Sequence, residues 1–136
     1  MTRTIDGVTY SLSLTDTAGQ EEYRGLWSAS NLRSDAFLLV YDITQADSLG
    51  ALESFDQMIE VERDTRLEAG GVLPACIVAG NKCDLQGMRQ VGAREGLEWA
   101  KRRGYGFMET SAREMVNIEE TFAREWAGHC CLSGRW

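Results

Sequence analysis

Four consecutive residues, Asn81-Lys82-Cys83-Asp84, carry side chains that together can read a purine base. The Asp carboxylate can accept two hydrogen bonds, from the ring N–H and the exocyclic amine of guanine. The Asn amide can meet the opposite edge of the base, and the Lys stem can lie along the purine face. A site that buries such groups rejects a base that leaves them unpaired, by ~10⁴–10⁵ in favourable cases. The reason is that each unpaired buried polar group costs about 1–3 kcal/mol. A polar turn after a strand is the plainer reading of the same residues, so the companions of the motif decide.

Two companions stand out. Asp16-Thr17-Ala18-Gly19-Gln20 combines an acid, a glycine and an amide. An Asp there can hold a magnesium ion through water. Gly19 can bring its backbone N–H up to a terminal phosphate, and Gln20 can orient an attacking water. A polar turn capping the next helix is the alternative. Glu109-Thr110-Ser111-Ala112-Arg113 is the second. Its small residues let a backbone N–H reach a base carbonyl, and the Arg113 guanidinium can stack over a ring. Taken alone, it reads equally as a loop with a helix cap.

The elements that must position these residues are strands alternating with helices. Val8, Tyr10, Leu12 and Leu14 alternate with Thr9, Ser11, Ser13 and Thr15, a strand with one buried face. Asp6-Gly7 before it marks a tight turn, so Arg3–Ile5 forms the other arm of a hairpin. Ala36–Tyr41 and Ala75–Ala79 are continuous apolar runs, as parallel strands buried on both faces require, and Tyr105–Met108 is a weaker third. Between them, Leu49, Leu52, Phe55 and Ile59 recur at helical spacing behind a cap at Asp47 or Ser48. Leu97 and Ala100 share a face of a helix over Arg94–Arg103 that Gly104 stops. Ile118, Phe122 and Trp126 step by four after a capping-box spacing at Asn117 and Glu120. Thr65–Leu73, with Gly70-Gly71, reads as a solvated loop. This order implies a mostly parallel, doubly wound α/β sheet with right-handed crossovers. Ligands of such sheets bind beyond the carboxyl ends of the strands, and each motif follows a strand.

Bulk properties narrow the partners. The 136 residues suit one domain, with ordinary values of 43% hydrophobic and 26% charged. A net charge of −7 argues against a nucleic-acid backbone and against a polybasic membrane patch. No apolar stretch approaches ~18 residues, and Met1–Thr4 is not followed by a signal-peptide core. The four cysteines form no disulfide framework, and a reducing cytosol fits best. Cys76 reads as a small buried hydrophobe.

The three motifs, in this order and each after a strand, make the chain resemble the Ras superfamily of small GTPases. The wording Gln20-Glu21-Glu22-Tyr23 is similar to the Ras branch, and the resemblance reaches to about Trp126. It implies a P-loop NTPase-like fold, GTP or GDP and magnesium as ligands, and GTP hydrolysis as a signalling activity. Asp16 would bind magnesium through water, Gly19 would contact the terminal phosphate, and Gln20 would position the hydrolytic water. Asn81, Lys82 and Asp84 would hold guanine, with Ser111 and Ala112 supporting the base. Arg113 stands where the family usually has Lys. Exchange factors, GTPase-activating proteins and effectors would engage residues 16–35, including Tyr23, Leu26 and Trp27. Family members act in the cytoplasm, often at the inner face of the plasma membrane.

The chain also departs from the family pattern. It holds no Gly-x-x-x-x-Gly-Lys-Ser/Thr loop and no Thr-bearing first switch. Against that pattern it begins within the second strand, so residues 1–129 read as a partial small GTPase domain and 130–136 as a short tail. A fold lacking its first strand, phosphate loop and first helix would leave unpaired strand edges and a weak grip on phosphate. Leu132–Trp136 is no terminal prenylation box, which argues against membrane association; Cys130 and Cys131 read as surface thiols or palmitoylation sites. Three readings follow: a piece of a GTP-hydrolysing switch, a non-catalytic Ras-like binding module, or a truncated product without function.

Overall fold

The computed structural model describes residues 2–5, 7–16 and 33–121. They fall in two compact units, Met1–Arg33 and Ser34–Trp136. The first contains a hairpin of β1 (Thr2–Ile5) and β2 (Val8–Ser11), antiparallel, running from the Thr2–Ser11 pair to the Ile5–Val8 pair. Gly7 takes φ +78°, which only glycine adopts without cost, and so closes the expected turn. The strand expected to continue through Thr15 ends at Ser11. The physical reason is pairing: β1 offers four residues, and Thr2 already opposes Ser11. Leu14, beyond that last pair, is 59% exposed.

In the second unit, β3 (Ala36–Asp42), β4 (Ala75–Asn81) and β5 (Gly106–Glu109) form a parallel sheet in the order β3-β4-β5. Helices α1 (Ser48–Ala51) and α2 (Glu53–Glu68) lie between β3 and β4, and α3 (Ala93–Arg102) lies between β4 and β5. The sheet is therefore built from the expected βαβ units. The register puts Phe37 beside Cys76, Leu39 beside Val78 and Phe107, and Tyr41 beside Gly80 and Glu109. These rows share one face. Phe37, Leu39, Tyr41, Cys76 and Val78 of these rows make the core with Ile43, Leu49, Leu52, Ile59, Val91, Ala100 and Tyr105, and Phe107 packs against it. Ile59 and Val78 are fully buried, each worth about 1.5–3 kcal/mol over exposure.

β4 is buried from residue 75 to residue 80, as its apolar run requires of a central strand. β3 departs from that expectation. Phe37, Leu39 and Tyr41 are buried, yet Val40 on the opposite face is 49% exposed. Cys76 is buried, as its setting in the run implies.

Both longer helices end the same way. Tyr105 N–H reaches the Ala100 carbonyl and Gly104 N–H the Lys101 carbonyl, with Gly104 at φ +70°. Gly71 N–H likewise reaches Arg66 and Gly70 N–H reaches Leu67, with Gly70 at φ +69°. These are Schellman closures, in which a left-handed residue turns the chain so that orphan carbonyls are met. Part of the loop expected over Thr65–Leu73 is thus helix up to Glu68. Asp47 is the residue before α1 but makes no side-chain cap; the Ser48 hydroxyl instead donates to the carbonyls of Asp42 and Gln45. The stripe that α3 buries is Gly96 and Ala100, while Leu97 is 47% exposed. A Cβ at position 96 would overlap the Tyr41 hydroxyl. The close approach of helix and sheet is what selects glycine there.

The chain is helical over 118–121. Asn117 sits at φ +55° and its Nδ2 donates to the Glu109 carbonyl at 2.8 Å, a tie across the sheet edge in place of the expected capping box. Phe122, Trp126, His129, Cys130 and Cys131 lie outside the described residues, as do residues 17–32. No described helix is long and apolar enough to cross a membrane.

Candidate functional site

β4 and β5 are adjacent and parallel, so the loops that follow them leave the same edge of the sheet. Asn81 ends β4, and residues 82–85 form a turn closed by Leu85 N–H to the Lys82 carbonyl at 2.9 Å. Lys82 takes φ +65°, a left-handed conformation that costs an ordinary side chain about 1–3 kcal/mol and concentrates at functional sites. The second loop begins at Thr110, whose N–H bonds to the Gly80 carbonyl (2.8 Å) and whose carbonyl accepts from Cys83 N–H (2.9 Å).

Side chains then lock the loops together. Asn81 Oδ1 accepts from Ala112 N–H at 3.2 Å and from the Thr110 hydroxyl at 3.3 Å. The buried Ser111 hydroxyl donates to Asp84 Oδ1 at 2.6 Å and accepts from Glu114 N–H at 3.0 Å. Five of the residues singled out in the sequence, Asn81, Lys82, Asp84, Ser111 and Ala112, are brought to one place. Among the described residues, neither Asn81 Nδ2 nor Asp84 Oδ2 makes a hydrogen bond. The two N–H donors of the Asn81 amide and the Asp84 Oδ2 acceptor therefore remain for a ligand edge, and Asp84 Oδ1 keeps capacity beyond its one bond to Ser111. Arg113 projects from the same loop with its side chain 78% exposed, 3.5 Å from Glu114.

Lys82 holds an unexpected partner. Its Nζ lies 2.6 Å from Asp42 Oδ2, at the end of β3, where Asp42 is the register neighbour of Asn81. Asp42 Oδ1 accepts from the Thr44 backbone N–H (2.8 Å) and hydroxyl (2.7 Å). Burial pushes the Asp42 carboxyl up, but the Lys82 and Thr44 hydrogen bonds and the Lys82 charge outweigh it and hold the group below its ordinary value. The sequence signal for Asp42 is its place at a strand's carboxyl end.

Behind the loops lies a second network. Arg89 grips Glu109 with both arms, Nη1 to Oε1 at 2.6 Å and Nη2 to Oε2 at 3.0 Å. The Cys83 thiol is pushed up by burial first, then by Glu109 and Asp84, with Arg89 opposing. Tyr41 is pushed up to about 12 by burial, then by Glu109; its buried hydroxyl has no hydrogen-bond partner among the described residues.

Asp16 is exposed in the segment after β2. Gly19 and Gln20 lie outside the described residues, as does most of 16–35. Among the described residues no three His, Cys, Asp or Glu side chains converge on a possible metal position.

Comparison with known sequences gives the same family as the motifs. A sequence model described as the Ras family matches residues 1–127. Ras-like protein 1 of Saccharomyces cerevisiae is 38% identical over 118 residues, which is 87% of this chain and 36% of that protein. The chain thus spans about a third of the length of the curated relative it matches.

Proposed function

This chain belongs to the Ras family, and from that premise we propose that its two loops at 81–85 and 109–113 form a guanine-specific base pocket. Asp84 accepts from the ring N–H and exocyclic amine, Asn81 meets the opposite edge through Nδ2, and the Lys82 stem lies along the ring. Ser111 holds Asp84, the Ala112 segment backs the base, and the exposed Arg113 stacks over it. The observation that carries this reading is the Asn81 and Asp84 pair, each locked to the second loop by one side-chain atom with the other left unpaired.

The phosphate side of the proposal rests on family membership and the Asp-Thr-Ala-Gly-Gln segment. Asp16 would hold magnesium through water. The ion would neutralise charge on the phosphates. Gly19 offers a backbone N–H to the terminal phosphate, and Gln20 orients the water for GTP hydrolysis. Residues 16–35 engage exchange factors, GTPase-activating proteins and effectors.

A second reading has its own observation. These 136 residues hold no phosphate-cradling loop, and that loop supplies most of the grip on phosphate. By themselves they act as a base-selective binding module with slow or no hydrolysis.

Titration of the whole chain with GDP and ADP in magnesium tests both points. The expected result is binding weaker than micromolar with guanine preferred, and loss of that preference in Asp84→Asn. Equal binding of the two bases would sink the pocket. Micromolar or tighter affinity for GDP would rule out the second reading.

A further inference from the structure

We propose that Arg89 is a positioning residue for base discrimination, holding Asp84 in reading geometry through Gln86 and Glu109. The proposal rests on the base-pocket reading above. Arg89 does not touch the candidate pocket. Its guanidinium instead joins the two loops that make it. The bidentate contact to Glu109 fixes the last residue of β5, immediately before Thr110-Ser111. Its Nε donates to Gln86 Oε1 at 3.1 Å. Gln86 passes the constraint on, with Nε2 donating to the Cys83 carbonyl at 2.6 Å, one residue before Asp84.

The post itself is anchored. Arg89 Nη1 also donates to the Val91 carbonyl at 3.0 Å. Gln90 and Val91 N–H groups both reach the Ile43 carbonyl, at 2.8 and 3.0 Å, and Val91 is 1% exposed in the core. The Arg89 and Glu109 side chains are only 19% and 22% exposed, so the pair is shielded and charge-assisted, unlike an ordinary surface ion pair. The loop it steadies has reason to need support. Residues 82–85 are irregular and start from a left-handed residue. A loop ordered before the ligand arrives does not lose that freedom on binding, and a site held by supporting hydrogen bonds keeps its geometry.

The test compares GDP with inosine diphosphate, which lacks the exocyclic amine that Asp84 reads. General loosening of the fold weakens both ligands alike and leaves their ratio unchanged; misplacing Asp84 shrinks the ratio. Affinities for the 136-residue chain are measured by NMR titration. In Arg89→Ala the GDP preference falls by about tenfold, the worth of one good hydrogen bond. Arg89→Lys, a point charge without the fork, recovers part of it. Gln86→Ala alters an exposed residue, cannot unfold the chain and lowers the ratio by about twofold. If Asp84→Asn abolishes the preference while Arg89→Ala and Gln86→Ala both keep it, the positioning role is wrong and the pocket stands. If the unaltered chain shows no preference, or Asp84→Asn leaves it intact, pocket and positioning role fall together.

Discussion

The Ser111 hydroxyl donates to Asp84 Oδ1 at 2.6 Å, joining residues 27 apart in sequence and on different loops. Ser111 is fully buried, so the acceptor it serves is held from inside the protein. A carboxylate oxygen has capacity beyond one donor, so this bond orients Asp84 without consuming it. Ser111→Ala removes that orientation and strands the Glu114 N–H. The expected outcome is a loss of about 1–2 kcal/mol in stability and a several-fold fall in the GDP-over-inosine-diphosphate ratio. Chemical denaturation and the NMR titration read the two effects separately.

Tyr41 and the two glycines against it give a packing prediction. A Cβ on Gly96 would overlap the Tyr41 hydroxyl and lie 2.8 Å from Phe107, and one on Gly80 would lie 2.6 Å from that hydroxyl. Gly96→Ala therefore costs about 1–3 kcal/mol by overpacking, despite the better helix propensity of Ala. Gly50→Ala, in α1 with nothing within 4 Å of the new methyl, gains about 0.4–1 kcal/mol. Tyr41→Phe removes a buried, unpartnered hydroxyl and leaves stability equal or higher. Urea denaturation midpoints of the three variants check the signs.

Acid sensitivity follows from Asp42. Its folded carboxyl lies below the ordinary 3.8, so its charged form contributes stability that is fully present above about pH 4. That contribution is lost as pH falls through the lower, folded value. In Asp42→Asn the pH dependence of stability flattens over this acidic window, and Lys82 loses its anchor. Denaturation from about pH 2 to about pH 6 measures it; an unchanged pH profile in the variant would refute the Lys82 pairing.

The Cys83 thiol provides a local reporter. Burial, Glu109 and Asp84 raise it and Arg89 lowers it, and only the thiolate is nucleophilic. Alkylation at about pH 8, near the ordinary thiol value, is read at the Cys83 peptide by mass spectrometry and is expected to run slower than for a free thiol. Asp84→Asn removes one of the charges that raise the thiol and speeds alkylation. A slower rate in that variant would contradict the placement of that charge.

Much of the candidate site is legible in the chain of residues, because its chemistry is local. Asn-Lys-Cys-Asp and Glu-Thr-Ser-Ala each follow a strand, and βα order alone sends those loops to one edge of a parallel sheet. The β4 run and the Gly104 stop are equally plain, since continuous burial and a left-handed closure leave compositional marks. Tertiary structure decided what depends on distance. Tyr41 selects glycine at 96, where reading apolar spacing alone favours Leu97. Asp42 takes Lys82 because β3 and β4 are in register, and Arg89 finds Glu109 across 20 residues. A charged side chain in the sequence looks the same whether it is solvated or paired. Only the fold, by bringing a partner within about 3 Å and shielding both from water, makes it part of the site.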